Sequence, residues 1–157
     1  MKVTVYTIMA FSVIFYTLLL VELDLFYISC NARTTFIFIE DHRVVAGKGR
    51  WEIYSHFHKT VGHFEGGVFY YETEYEPSKT EEVNVAFETE NILIGRVFRL
   101  FTRFVSEGIT NTSTPSQRIN FISPVLSEGE VSYRTINYSD AIGFTIGIGE
   151  SYRMICS

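Results

Sequence analysis

Four residues that could bind a metal ion lie close together in the sequence. His56 and His58 are two positions apart, and His63 and Glu65 follow with the same separation. In a β-strand, residues two apart point to the same side, so the imidazoles of His56 and His58 could bind one ion. Imidazole together with carboxylate suits zinc, copper, nickel or iron. The segment predicts a divalent transition-metal site; the alternative is a solvent-facing strand surface that carries histidines.

A second group of candidates consists of aromatic and basic residues suited to contact with a partner. Tyr70 is predicted to lie on the exposed face of its strand, and tyrosine offers contact area with a polar end. Arg96, Arg99 and Arg103 recur every three or four residues and would share one face of a helix. An acidic surface beside a basic one suits a protein or glycan partner of mixed charge. Charge runs of this kind also mark ordinary solvated surfaces.

Most of the chain that positions these residues is predicted to be β-strand. Trp51–His58 and Val83–Thr89 alternate apolar and polar side chains, with Val83, Val85 and Phe87 inward. Short alternating runs at spacings of about 8–12 residues predict a single antiparallel β-sandwich or barrel. Further strands are predicted at Thr35–Glu40, Val68–Tyr75, Ile119–Val125, Val131–Tyr138, Ala141–Ile148 and Tyr152–Cys156.

Residues 92–105 depart from this alternation. Ile94, Val97 and Phe101 recur at helical spacing, so we expect one short helix over 92–105. The strand alternative stays open, because Arg99 and Arg103 also alternate with apolar side chains. The polar segment after this helix, residues 106–118, is predicted to be an exposed loop.

The N-terminus has the composition of an export signal. Residues 3–21 carry no charge, Lys2 precedes them and Glu22 follows. A basic flank before a long apolar run is typical of a signal peptide, and the run is also long enough to serve as a signal anchor. We therefore expect 1–22 to be one or the other and 23–157 to form one extracytoplasmic β-rich domain. That domain would be secreted, or held by a single membrane pass. The alternative is a buried element of a cytosolic protein.

Export makes two further predictions. Cys30 and Cys156 lie near opposite ends of the exported part and could form a disulfide in an oxidising compartment. Cleavage after Ala32 would remove Cys30, so pairing favours an earlier cut or none. Asn111 and Asn137 each begin an Asn-x-Ser sequence, which predicts N-glycosylation.

The segment Gly49-Arg50-Trp51 places a glycine two residues before the tryptophan. It resembles the Gly-x-Trp signature near the first strand of lipocalins. The resemblance implies a barrel whose base is closed by Trp51 and whose interior holds a small apolar ligand. Without the resemblance, Trp51 is predicted to be a core aromatic residue of the sheet.

Composition narrows the class of function. The chain has 157 residues, 46% of them hydrophobic, and a formal net charge of −5. These values exclude a disordered protein and disfavour nucleic acid as a partner. The sequence contains neither a Gly-x-Ser-x-Gly segment nor a phosphate-binding glycine loop. We therefore expect a non-enzymatic binding domain without a cofactor, with an apolar-ligand carrier and a metal-binding protein as alternatives.

Overall fold

The protein combines an N-terminal helix with a single antiparallel sheet. A computed structural model describes residues 2–22, 27–40, 43–56, 58–72, 77–94, 97–139, 143–148 and 152–156. Helix α1 spans Lys2–Glu22, and large apolar side chains along it, such as Phe11 and Phe15, are exposed. Among the described residues, no helix has both the length and the apolar character needed to cross a lipid bilayer.

Eight strands lie in sequence order across the sheet, and each runs antiparallel to the next. They are β1 (Ile28–Glu40), β2 (Arg43–Ser55), β3 (Lys59–Tyr71), β4 (Lys79–Ile94), β5 (Val97–Glu107), β6 (Val131–Ser139), β7 (Gly143–Ile148) and β8 (Tyr152–Ile155). The sheet curls into a nearly closed barrel. The predicted antiparallel β fold class is therefore confirmed, and of the two predicted architectures, sandwich and barrel, the barrel is the one observed.

A disulfide joins the two ends of this sheet. Cys30 in β1 bonds to Cys156, the residue after β8, with their Cα atoms 4.6 Å apart. The predicted pairing is therefore confirmed, and a mature chain that keeps it must retain Cys30. In the chain-entropy model, closing so long a loop stabilises the fold by about 4–5 kcal/mol.

Alternating side chains of β1–β4 face the barrel interior. Val83, Val85 and Phe87 point inward, as predicted. Trp51 lies on β2 and is buried, with its ring 4.6 Å from that of Phe64 and 6.1 Å from that of Phe87. The prediction of Trp51 as a core aromatic residue is thus confirmed. Burying a side chain of this size contributes about 1.5–3 kcal/mol.

One end of the barrel is covered by the segment between β5 and β6. Helix α2 (Pro115–Phe121) begins at Thr114, whose side chain and backbone exchange hydrogen bonds with Gln117. A 3₁₀ turn (Pro124–Leu126) follows, and Val125 and Leu126 are buried in the core. The prediction of a strand at Ile119–Val125 is therefore wrong, since the capping residues and Pro115 start a helix instead. Residues 106–118 are likewise not all exposed loop, because Arg118 is buried.

The predicted helix over 92–105 is wrong. These residues form the hairpin of β4 and β5, in which Ile94 pairs with Val97. The strand alternative is the one observed, and its alternation places Leu100 and Thr102 inward. Pairing with β4 on one side and β6 on the other gives the backbone of β5 its hydrogen bonds, so tertiary structure overrides the helical spacing.

Candidate functional site

A groove of about 710 Å³ crosses the outer face of β1–β4. Its floor is bare backbone where Gly49 of β2 pairs with Gly66 of β3. A Cβ on Gly66 would lie 2.3 Å from the carbonyl oxygen of Lys48, so only glycine allows the two strands to approach this closely. Gly67, next along β3, faces outward between Lys48 and Glu82 and leaves the groove open.

The two sides of this groove carry opposite charges. Arg33 of β1 and Lys48 and Arg50 of β2 line one side, and Glu65 of β3 and Glu82 of β4 line the other. The guanidinium of Arg50 already pairs with Glu52 at 2.8 Å, on a solvent-exposed surface where such a pair contributes little. The arrangement can bind a polar, extended ligand through ion pairs of both signs.

Threonines and one aromatic ring complete the lining. Thr35, Thr80 and Thr110 offer hydroxyl groups from three different elements. Phe69 lies on the outer face of β3, and the Nζ atom of Lys48 is 5.7 Å from the centre of its ring. This cation–π contact helps to hold the Lys48 side chain over the groove.

The loop that carries Thr110 is fixed to the edge of β4. The backbone N–H of Gly108 donates to the carbonyl of Asn84 at 2.8 Å, and that of Thr112 donates to the carbonyl of Glu82 at 2.9 Å. The hydroxyl of Thr112 accepts a further bond from the N–H of Glu82. The rim of the groove is therefore held in place by paired backbone.

Asn111, a predicted glycosylation site, belongs to the same loop. Its Nδ2 donates to Glu107 and to the carbonyl of Ser113, and its Oδ1 accepts from Ser113 and from the N–H of Asn84. A glycan on Nδ2 would replace one of its two hydrogens and disrupt one of these bonds. Asn137, the other predicted site, lies in β6 opposite Thr145.

A second depression, of about 340 Å³, lies where α2 meets β3 and β4, and Tyr70 lines it. Tyr70 is only 7% exposed, so the prediction of an exposed Tyr70 is wrong. Its hydroxyl donates to the buried carboxylate of Glu81 at 2.9 Å, which satisfies the phenol inside the barrel. Gln117 of α2 donates to the same carboxylate at 2.6 Å, and Lys79 forms an ion pair with it.

These contacts set the ionisation of the pocket. Burial and the hydrogen bond to Glu81 raise the pKa of Tyr70 to about 12, so the phenol stays protonated and donates. Burial alone would raise the pKa of Glu81, but hydrogen bonds from Lys79, Tyr70 and Gln117 outweigh it and hold the pKa below the ordinary value. The pocket therefore contains a buried carboxylate that is ionised at neutral pH and already has three donors.

The structure does not bring the four predicted metal ligands together. His56 and His58 lie in the turn after β2, which ends at Ser55, so they do not share a strand face. His63 faces outward on β3 and hydrogen-bonds Asn84 at 2.9 Å, and Glu65 lines the groove. Within the described ranges, no three or more His, Cys, Asp or Glu residues are arranged to hold a metal ion.

The predicted basic surface is also rearranged. Arg103 is the extra residue of a β-bulge in β5, and its guanidinium bonds Glu90 at 2.7 Å. Arg99 faces Ile92 across the hairpin. Arg96 lies outside the described residues. Arg99 and Arg103 therefore lie on a strand and not on a helical face.

Sequence reasoning did not identify most of the groove. Of its lining residues, Glu65 was predicted to be a metal ligand, Gly49 and Arg50 were part of the Gly-x-Trp segment, and Val83 was predicted to face inward. The signal that could have drawn attention to the groove is the cluster of glycines at 47, 49, 66 and 67, which is unusual within strands. Comparisons with protein families, with curated protein sequences and with solved structures find no match for this chain.

Proposed function

We propose that this chain is an exported, non-enzymatic binding domain that recognises its partner through the groove across β1–β4. The observation that carries this proposal is the groove itself, a concave site with a backbone floor and walls of opposite charge. Its volume falls within the range of about 300–1,000 Å³ that is usual for ligand sites.

An extended segment of another protein fits this groove best. Four adjacent strands span about 14 Å, which corresponds to about four residues of extended chain. A peptide can present acidic side chains to Arg33 and Lys48 and basic ones to Glu65 and Glu82, whereas a neutral glycan would leave these charges without partners. A glycan partner is the alternative that the experiment below distinguishes.

Export is supported by the disulfide and by the sequence of the N-terminus. Disulfides persist in oxidising compartments, and Cys30–Cys156 would be reduced in most cytosols. The apolar run at 3–21 would direct translocation, followed by release or retention at the membrane. Translation with microsomes tests this proposal: a C-terminal tag protected from protease supports export, and a fully digested tag contradicts it.

The groove is tested by filling it. Gly67→Thr adds a strand-compatible side chain in the groove, and the nearest contacts of its Cβ would be the ring of Phe69 at 3.2 Å and the carbonyl oxygen of Glu81 at 3.6 Å. Peptides selected from a displayed random library on the wild-type domain should lose binding to Gly67→Thr. They should keep binding to Val61→Thr, which adds a threonine on the same outer face of β3 beyond the groove.

Charge reversal gives a matched second test. Lys48→Glu should weaken acidic peptides and Lys59→Glu should not, because Lys59 pairs with Glu88 away from the groove. Peptides that bind every variant equally would contradict the proposal. If the wild-type domain binds a glycan on an array and Gly67→Thr abolishes that binding, the partner of the groove is a glycan and not a peptide.

A carrier of small apolar ligands is the second candidate. It is favoured by eight antiparallel strands in barrel order, an architecture used by carriers. Native mass spectrometry of protein from its natural source tests it. A co-purified lipid is the expected result, and a mass equal to that of the polypeptide contradicts it.

A further inference from the structure

Two polar residues of β6 point into the barrel and have buried polar atoms without a hydrogen-bond partner among the described residues. Ser132 and Arg134 are 5% and 4% exposed, whereas Tyr133 between them is 55% exposed and faces outward. The hydroxyl of Ser132 and the Nε and Nη2 atoms of Arg134 are buried and have no hydrogen-bond partner in the described part of the chain. Nearly all buried polar groups in folded proteins are paired, so three adjacent exceptions require an explanation.

The surroundings of Arg134 are apolar. The centre of the Trp51 ring lies 5.9 Å from the Cζ atom of Arg134. On the two neighbouring strands, Leu100 of β5 and Ile146 of β7 are buried aliphatic residues, and Phe98 of β5 pairs with Arg134. Burial lowers the pKa of Arg134 to about 10, so its guanidinium is still cationic at neutral pH. An unpaired cation in such a place is costly, and the contact with Trp51 offsets only part of that cost.

The free donors of Arg134 indicate the shape of the missing partner. Nε–H and Nη2–H lie on one edge of the planar guanidinium, parallel to each other. This edge matches the two oxygens of a carboxylate, and the pair of bonds that results is among the strongest in proteins. Ser132 lies two residues away on the same face of β6 and supplies a third donor.

We propose that the barrel interior binds a carboxylate between Ser132 and Arg134, beside Trp51. The acid is either a small one or the head of an apolar acid whose tail enters the barrel. This site is independent of the groove: it lies inside the sheet, so Gly67→Thr should leave it unchanged. If the protein is a carrier of small apolar ligands, this site indicates that those ligands are apolar carboxylic acids.

The chain provides its own probe, because Trp51 is the only tryptophan. The full oxidised protein is titrated with sodium acetate, sodium decanoate and sodium chloride at matched ionic strength and neutral pH. We expect a saturable change in Trp51 fluorescence and a rise in Tm with at least one of the two carboxylates. A response to acetate identifies a small-acid site, and a response to decanoate alone identifies an apolar acid.

Two variants, one inside the barrel and one on its outer face, distinguish carboxylate binding at this site from general salt effects. Arg134→Met should weaken carboxylate binding at least about tenfold, since it removes both charged hydrogen bonds. Arg103→Met removes the same charge from the outer face of β5 and should bind like wild type. If Arg134→Met does not fold, Ser132→Ala retains the guanidinium and should still weaken binding severalfold.

Three results would overturn the inference. The first is an absence of any saturable response to acetate and decanoate. The second is an equal response in wild type and in whichever of Arg134→Met and Ser132→Ala folds. The third is chloride binding more tightly than both carboxylates, because a single spherical ion does not need the two-donor edge of Arg134.

Discussion

Two arginines are buried in this barrel under opposite electrostatic conditions. Arg118, in the segment that covers one end, is 1% exposed, and its Nε donates to the carbonyl of Leu126 at 2.9 Å. Its Nη1 donates to the carbonyl of Ser113, and its Nη2 pairs with Glu107 at 2.8 Å. Arg134, inside the barrel wall, has none of these partners.

The difference shows what a buried guanidinium can do. Arg118 links Ser113 and Leu126 of the segment between β5 and β6 to Glu107 at the end of β5, so its charge stabilises the fold. The Nε and Nη2 atoms of Arg134 have no acceptor among the described residues, so this guanidinium favours an acceptor from outside the chain. Substitutions at the two positions should therefore change stability in opposite directions.

Arg118→Met should produce the largest effect. It removes the donor to the buried carbonyl of Leu126, one of two donors to the carbonyl of Ser113, and the ion-pair partner of Glu107. We expect a loss of about 3 kcal/mol in the free energy of unfolding. Urea denaturation followed by Trp51 fluorescence measures this loss. A change as small as that of a surface variant would show that the covering segment does not depend on Arg118.

Arg134→Met should stabilise the protein. In a buffer free of carboxylates, removing an unpaired buried charge should raise the free energy of unfolding by about 2 kcal/mol. Saturating carboxylate should reverse the order, because only wild type gains from binding. A loss of stability in both buffers would mean that Arg134 is a structural residue like Arg118.

Glu81 extends the comparison to a buried carboxylate with three donors. Glu81→Gln should cost about 1 kcal/mol at neutral pH, since the glutamine keeps the shape but loses the charge. The pKa of Glu81 is lowered on folding, so its ionised form stabilises the protein above the unfolded value of 4.5. That contribution is lost as pH falls through the lower, folded pKa. The difference between variant and wild type should therefore shrink in acid unfolding curves, and a constant difference would contradict this.

Arg103→Met gives the smallest effect. Its partner Glu90 and Arg103 itself are solvent-exposed, so we expect no measurable change in Tm. A clear loss would show that the bulge in β5 depends on this ion pair.

The alternation of apolar and polar residues along the chain was enough to predict the antiparallel β fold class and several of its strands. The inward faces of β2 and β4 follow from residues such as Trp51, Val83 and Val85, and two cysteines allow only one intramolecular pairing. The hairpin at 92–105 was missed because the same residues fit both periods, and pairing with β4 and β6 decided between them.

The functional surfaces depend on contacts that are distant in sequence. Tyr70 was assigned to the wrong face because alternation gives only relative positions, and Glu81 on the next strand fixes the absolute one. The groove requires Gly49 to meet Gly66, a register that no local pattern encodes. The start of α2 could have been recognised, because Thr114 and Gln117 form the usual capping pair.

The bridge between Cys30 and Cys156 has a consequence for solubility. An open sheet ends in two strands with unsatisfied backbone N–H and C=O groups, which recruit strands from other molecules. In this protein the bridge fastens those two terminal strands to each other across the seam. Reduction would release this link between the two edges, so we expect more self-association by strand addition in a reducing environment than in an oxidising one.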